Sequence, residues 1–276
     1  VTAHEPFGPG WTARTPTPEE VKTCCAAAYQ NDAVALILGE AYHPGGLALT
    51  RRLADRLGLT CGQLVADVAS GPGTTAFLLA AEYGVTVHGI DLGPVAVAAA
   101  NAKAAEAGVD DRVVFRVGDA ERLPLDDASV DAVVCECALC TFPDKAVATA
   151  EIARVLKHGG RVGITDVTVD PDRVGPELAT LAGWVACIAD ARPAADYCHY
   201  LERVGLEITL VEAHDDALAR MVDTIDARLV AYRMIDVPAL AGVDIELVRQ
   251  KVAVAARAVA GGIAGYSLLV ARKPAR

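Results

Sequence analysis

Rings are scarce in this chain: two tryptophans, four phenylalanines and seven tyrosines hold the aromatic share to 5% of 276 residues. A core of stacked aromatics is excluded, so the 53% of hydrophobic residues must pack mainly as Ala, Val and Leu. That apolar share also excludes disorder for most of the chain. Positive charge is short as well. Lys and Arg number 25 against 36 Asp and Glu, giving a net charge of -11, and no run of Lys and Arg occurs. The electrostatic footprint by which nucleic acids and anionic membranes are held is missing, which leaves small molecules as the expected partners.

Long apolar runs are nearly absent too. The opening VTAHEPFGPGWTARTPTPEE carries prolines and charges where a secretion signal needs an apolar stretch, so a cytoplasmic protein is expected. Val252–Ala271 alone approaches the length of a bilayer span. Arg257 lies inside it and Gly261-Gly262 divides it, so it reads as a helix, a turn and a strand, and no membrane partner is expected. No pair of CxxC units exists, which argues against a four-ligand structural zinc site. The eight cysteines, without a secretion signal, read as free thiols of a reducing compartment. Oligomeric state leaves no legible trace.

What is present is a rhythm. Residues 1–18 read as an arm, and from Thr17 to Leu57 the pattern is helical, opened by Pro18-Glu19-Glu20 and broken at His43-Pro44-Gly45-Gly46. This gives an N-terminal arm and helical cover over 1–58 and a core over 59–276. In the core, strands Leu64–Val68, Val85–Ile90, Arg112–Val117, Val130–Val134 and Arg161–Asp166 alternate with helices Thr74–Tyr83, Pro94–Ala107 and Ala146–Leu156. Such alternation predicts an α/β fold with a mostly parallel sheet. Beyond Asp170, helices are expected over Pro176–Asp190 and Ala194–Val204, then a strand Leu206–Val211, a helical insertion near 216–262 and a last strand Gly265–Ala271.

Three polar features stand at successive strand ends, where open α/β sheets bind ligands. Asp67-Val68-Ala69-Ser70-Gly71-Pro72-Gly73 follows the first strand, a small turn before a helix that lets a ligand approach backbone N–H groups. Asp91 ends the second strand about twenty residues on, where an acid can take both hydroxyls of a ribose. Asp119-Ala120-Glu121 follows the third, placed to offer a carboxylate to an adenine amino group. The series VADVASGPGT, VHGIDLG and VGDAERLPLDDASVDAVVCE, with ARVLKHGGRV downstream, resembles the class I S-adenosylmethionine-dependent methyltransferases. The resemblance implies a Rossmann-like sheet of seven strands in the order 3-2-1-4-5-7-6, the last antiparallel. It also implies S-adenosylmethionine as cofactor, surrounded by Asp67, Ala69, Gly71, Gly73, Asp91, Leu92, Asp119, Ala120, Glu121 and Cys135.

VVCECALCTFPDK places three of the cysteines directly after the fourth strand, on the side where a methyl acceptor would enter. With AGWVACIADA further on, the stretch is similar to the arsenic(III) methyltransferases. That similarity implies Cys137 and Cys187 as ligands of trivalent arsenic. It does not extend to the N-terminus, where a third thiol is expected from Cys24 or Cys25 in the helical cover, ahead of Cys61 in a loop at the far edge of the first strand. Soft thiolates suit such an ion. Two alternatives stay open: a carbon, oxygen or nitrogen methyltransferase of a small organic metabolite with structural cysteines, and a non-catalytic protein that binds a metalloid or the cofactor. Strict alternation along the strand predicts Cys135 and Cys137 on one face and Glu136 on the other. Cys140 and Cys198 read as packing residues, His43 as part of a turn ahead of a cap on the site, and Asp215 or Asp216 as a helix N-cap ahead of a base, with His214, for an O- or N-methylation. Tyr29, Tyr42 and Trp184 fit either the core or the rim of the pocket.

Overall fold

The computed structural model describes residues 17–39, 41–174, 188, 190–235 and 237–275. Seven strands form one sheet: β1 Leu64–Val68, β2 Thr86–Asp91, β3 Val113–Val117, β4 Val130–Glu136, β5 Leu156–Val169, β6 Glu207–Ala213 and β7 Ala264–Arg272. Their order is β3-β2-β1-β4-β5-β7-β6, as the resemblance implies. β1 to β5 pair in parallel. β7 is inserted antiparallel between β5 and β6.

Apolar runs explain which strands sit centrally. Val65, Ala66 and Val68 of β1 and Val133, Val134 and Cys135 of β4 are all buried, as expected for parallel strands covered on both faces. The covering layers are helices α4 Thr74–Tyr83, α5 Pro94–Glu106 and α6 Lys145–Val155, joined by α3 Gly46–Leu57. Leu49, Leu53, Ala54 and Leu57 of α3 are buried, and a Cβ on Gly163 of β5 would stand 2.6 Å from Leu53 Cδ1, so this helix lies directly on the sheet.

The helical preface has one break more than expected. α1 Pro18–Tyr29 opens with a reciprocal cap between Thr17 and Glu20, but the chain turns at Gln30. Asn31 then caps a separate α2, Asp32–Leu38, by accepting from the Ala33 N–H. α7 Ala194–Arg203 precedes β6, and α8 Asp215–Tyr232 and α9 Ile245–Ala260 form the helical insertion between β6 and β7. α9, a turn at Gly261-Gly262 and β7 take up the apolar stretch that approaches bilayer length. Among the described residues no helix is long and apolar enough to cross a membrane.

Among the parallel strands, two run longer than their sequence suggests. β5 continues to Val169 because nine residues of β7 pair with it from Arg161 onward. β4 continues through Cys135 to Glu136, which pairs with Thr165. The expected helix over Pro176–Asp190 falls almost entirely outside the described residues. Asp215 does not cap α8: its Oδ1 accepts from the Tyr266 N–H at 2.9 Å, tying the helix start to β7.

Candidate active site

A cavity of about 1190 Å³, open mouth included, lies at the carboxyl ends of β1, β2, β3 and β4. Its floor is the turn after β1. Ala69 there adopts a left-handed φ of 60°, a conformation that costs an L-residue about 1–2 kcal/mol. A Cβ on Gly71 would meet nothing within 4 Å, whereas one on Gly73 would overlap the Phe115 ring. The two glycines therefore serve different ends. Gly71 leaves backbone open at the cavity, and Gly73 makes room for a ring packed from β3.

Acids dominate the polar wall. Asp91 holds the turn on both sides: Oδ2 accepts from Gly71 N–H at 2.8 Å and Oδ1 from Gly93 N–H at 2.7 Å. Burial raises its pKa, with those two N–H groups opposing the shift. Asp67 is 2% exposed, and its Oδ2 has no hydrogen-bond partner. Burial, then the charges of Glu136 and Asp91, push the Asp67 carboxyl well above its ordinary range. An orphaned, deeply buried carboxylate oxygen on a cavity wall is the kind of exception that asks for a ligand.

The roof is α1. Lys22, Cys25, Ala26 and Tyr29 all line the cavity, and their spacing of three, four and seven residues is one face of a helix. Cys24 falls off that face, and burial raises its pKa. Tyr29 is joined by Tyr42, with ring centroids 6.2 Å apart. Both tyrosines therefore belong to the pocket rim. Trp184 and Cys187 lie outside the described residues.

At the end of β4 the expected alternation fails. Cys135 is fully buried and is absent from the cavity wall; burial, then Asp166 and Asp67, raise its thiol well above the usual value. Glu136 and Cys137 both line the cavity, because Cys137 takes a left-handed φ of 54° and leaves the strand's two-residue period. Its N–H still donates to Thr165 O at 2.6 Å. Cys140 is buried, and its N–H donates to Asp166 Oδ2 at 3.0 Å. The loop is further fixed by Lys145, whose Nζ donates to Cys140 O and Phe142 O, each at 3.0 Å, and to Asp190 Oδ2 at 2.5 Å.

Sequence reasoning favoured a turn for His43 and missed the polar cluster it joins beside Cys137. Glu136 accepts from Thr75 Oγ1 at 2.6 Å and Thr50 Oγ1 at 3.0 Å. His43 is 8% exposed, lines the same cavity and places Nε2 3.6 Å from Glu136 Oε2. The sequence signal was a histidine beside a Pro-Gly-Gly turn, which by itself reads as loop chemistry. Of the residues singled out from the sequence, Asp67, Ala69, Gly71, Asp91, Leu92, Asp119, Ala120, Glu121, Cys25 and Cys137 share the cavity wall, while Gly73, Cys24 and Cys135 do not. Among the described residues no group of three or more His, Cys, Asp or Glu is placed to hold a metal ion.

Comparison with known proteins agrees with this geometry. Residues 66–164 match the methyltransferase domain family. The chain carries the class I methyltransferase fold. The 27-O-demethylrifamycin SV methyltransferase of Amycolatopsis mediterranei (strain S699) is 40% identical over 129 residues, covering 47% of each chain. The arsenite methyltransferase of Halobacterium salinarum is 33% identical over 161 residues, 56% of this chain and 40% of that protein. The present chain thus spans about half the length of the curated relatives it matches. Among solved structures, phosphoethanolamine N-methyltransferase 2 of Haemonchus contortus, in complex with phosphomonomethylethanolamine and S-adenosylhomocysteine, superposes with a TM-score of 0.77. Identity there is 21%, covering 94% of this chain and 61% of that one.

Proposed function

We propose that the chain is an S-adenosylmethionine-dependent methyltransferase whose acceptor is trivalent arsenic held by thiolates of Cys137, Cys187 and Cys25. The observation that carries this reading is that Cys25 and Cys137 line the same cavity as the glycine turn and the strand-end acids. Cys24, which lies off the roof face, is set aside as the third ligand.

The residues present fit the cofactor. Gly71 leaves open backbone, Asp67 keeps one buried oxygen free of partners, and Asp91 stands at the end of β2. Asp67 and Ala69 would face the amino-acid portion of the cofactor, Asp91 and Leu92 its ribose, and Asp119, Ala120 and Glu121 its adenine. The cofactor supplies a methyl group already activated on a sulfonium. What the chain must add is orientation and the exclusion of water. Tyr29, Tyr42, Ala138 and Phe142 give the cavity an apolar lining on the acceptor side. Thiolates at Cys25 and Cys137 would leave the arsenic lone pair free to take the methyl, so no base is needed once the thiols have lost their protons.

A second reading is favoured by the His43–Glu136 pair. A carboxylate 3.6 Å from an imidazole at the same wall could take the proton of an organic hydroxyl or amine, with the cysteines confined to packing. The two readings separate in one assay. Incubated with S-adenosylmethionine, a thiol reductant and either arsenite or methylarsenite, the wild-type chain yields methylated arsenic detectable by mass spectrometry. Cys137→Ser and Cys187→Ser abolish it, while His43→Gln leaves it. Absence of arsenic product alongside methylation of an organic acceptor that His43→Gln abolishes establishes the second reading instead.

A further inference from the structure

Lys22 reaches from the helical cover to the acids at the end of β3. Its Nζ donates to Asp119 Oδ2 at 2.8 Å and to Glu121 Oε2 at 2.5 Å. The Lys22 side chain is 13% exposed, and those of its partners 32% and 16%, so the contact is partly withdrawn from water. Burial alone would lower the Lys22 pKa, but the hydrogen bonds it donates to the two carboxylates, with their charges, outweigh it and hold the ammonium above its ordinary value. Lys22 lies one helical turn from Cys25 on the same face of α1, and all three charged groups line the cavity. At its other end α1 is anchored by Gln30, whose Oε1 accepts from Val95 N–H in the first turn of α5 at 3.1 Å. The helix is therefore strapped across the mouth between β2 and β3.

We propose that Lys22 is a positioning residue of the cofactor site, a latch that fixes the Asp119 and Glu121 carboxylates and holds the cover closed over the adenine end. The inference rests on the cofactor reading above and adds a residue to it. Each carboxylate has more acceptor sites than Lys22 uses, so Asp119 can receive the ammonium and a second donor together. Asp119 Oδ1 already accepts from the Glu121 N–H at 2.9 Å and Glu121 Oε1 from the Asp144 N–H at 2.9 Å, which ties both acids to rigid backbone. Without the ammonium, two like charges two residues apart would repel and swing away from each other. Release of a bound cofactor then requires the latch to open, and dissociation depends on Lys22 and on salt.

The test is the release rate of radiolabelled S-adenosylmethionine from the full chain, chased with unlabelled S-adenosylhomocysteine. Lys22→Met is expected to speed release on the order of tenfold, the size set by losing charge-assisted hydrogen bonds that are partly screened. KM for the cofactor rises with it and kcat changes little. Lys22→Arg restores most of the effect, because a guanidinium can also span two carboxylates. Added salt speeds release from wild type and not from Lys22→Met. If Lys22→Met does not fold, Lys22→Gln, which removes the charge and keeps a donor, gives a smaller acceleration in the same direction. Unchanged or slower release in a folded Lys22 variant overturns the latch alone. A wild-type chain that binds no S-adenosylmethionine overturns the cofactor reading, and the latch with it.

Discussion

Glu136 accepts a 2.6 Å hydrogen bond from Thr75 Oγ1, joining the last residue of β4 to the first turn of α4 at the cavity wall. Thr50 of α3 donates to the same carboxylate, so three elements meet on one buried acid. Removing a donor from a buried carboxylate costs more than the bond itself, because the charge loses compensation. Thr75→Val is expected to lower stability by about 1–2 kcal/mol in urea unfolding of the ligand-free chain. Thr50→Val alone costs less, since its bond is longer. The double variant departs from additivity, as expected for two donors on one acceptor.

Asp67 gives a pH dependence with a definite sign. Its folded pKa is raised above the ordinary 3.8 by burial, then by Glu136 and Asp91. Above that ordinary value the unfolded chain gives up the proton while the folded chain keeps it. Stability therefore falls as pH rises from about 4 toward the folded pKa, and levels off beyond it. Asp67→Asn stays neutral throughout, so its stability relative to wild type should increase with pH over that window. Urea midpoints measured from acid to neutral pH check this; a constant difference between the two proteins would contradict it.

Backbone and thiol can be separated at Cys137. Its left-handed φ of 54° is a conformation glycine adopts without steric cost. Cys137→Gly should be more stable to unfolding than Cys137→Ala by about 1 kcal/mol. Both variants lose the thiol and, on the proposed chemistry, lose arsenic methylation together. Thermal melting and turnover read the two effects independently.

Thiol reactivity should follow burial. Cys61 is exposed, whereas Cys135 and Cys140 are buried and burial raises the Cys135 thiol well above its usual value. In native protein at neutral pH, iodoacetamide should modify Cys61 well before Cys135 and Cys140, which stay protected until denaturant is added. Peptide mass spectrometry of the quenched reaction decides it, and early modification of Cys135 would contradict the placement of its side chain in the core.

The sheet was legible in the sequence because strand periods, helix starts and the spacing of the strand-end acids are local patterns that packing reinforces. The order of strands came from resemblance and not from periodicity, since β7 enters between β5 and β6 through pairing that no local pattern announces. The site was legible in part. Asp91 and Asp119 stand where their distance from the glycine turn puts them, and helical spacing could have chosen Cys25 over Cys24 had Lys22 and Tyr29 been known to face a ligand. What escaped were contacts between distant segments: His43 with Glu136, Lys22 with Asp119 and Glu121, Asp215 with Tyr266. The orientation of Cys137 escaped for a different reason, because a single left-handed residue cancels the strand alternation from which its direction was read.

The central claim is that this cavity is an S-adenosylmethionine site anchored by the acids at the strand ends, and calorimetric titration of the purified chain tests it most directly. Wild type is expected to bind S-adenosylmethionine and S-adenosylhomocysteine with one-to-one stoichiometry. Asp91→Asn, which keeps one acceptor for the turn but removes the charge offered to the ribose, should weaken binding by on the order of tenfold or more. No binding by wild type, or equal affinity in Asp91→Asn, would contradict the account.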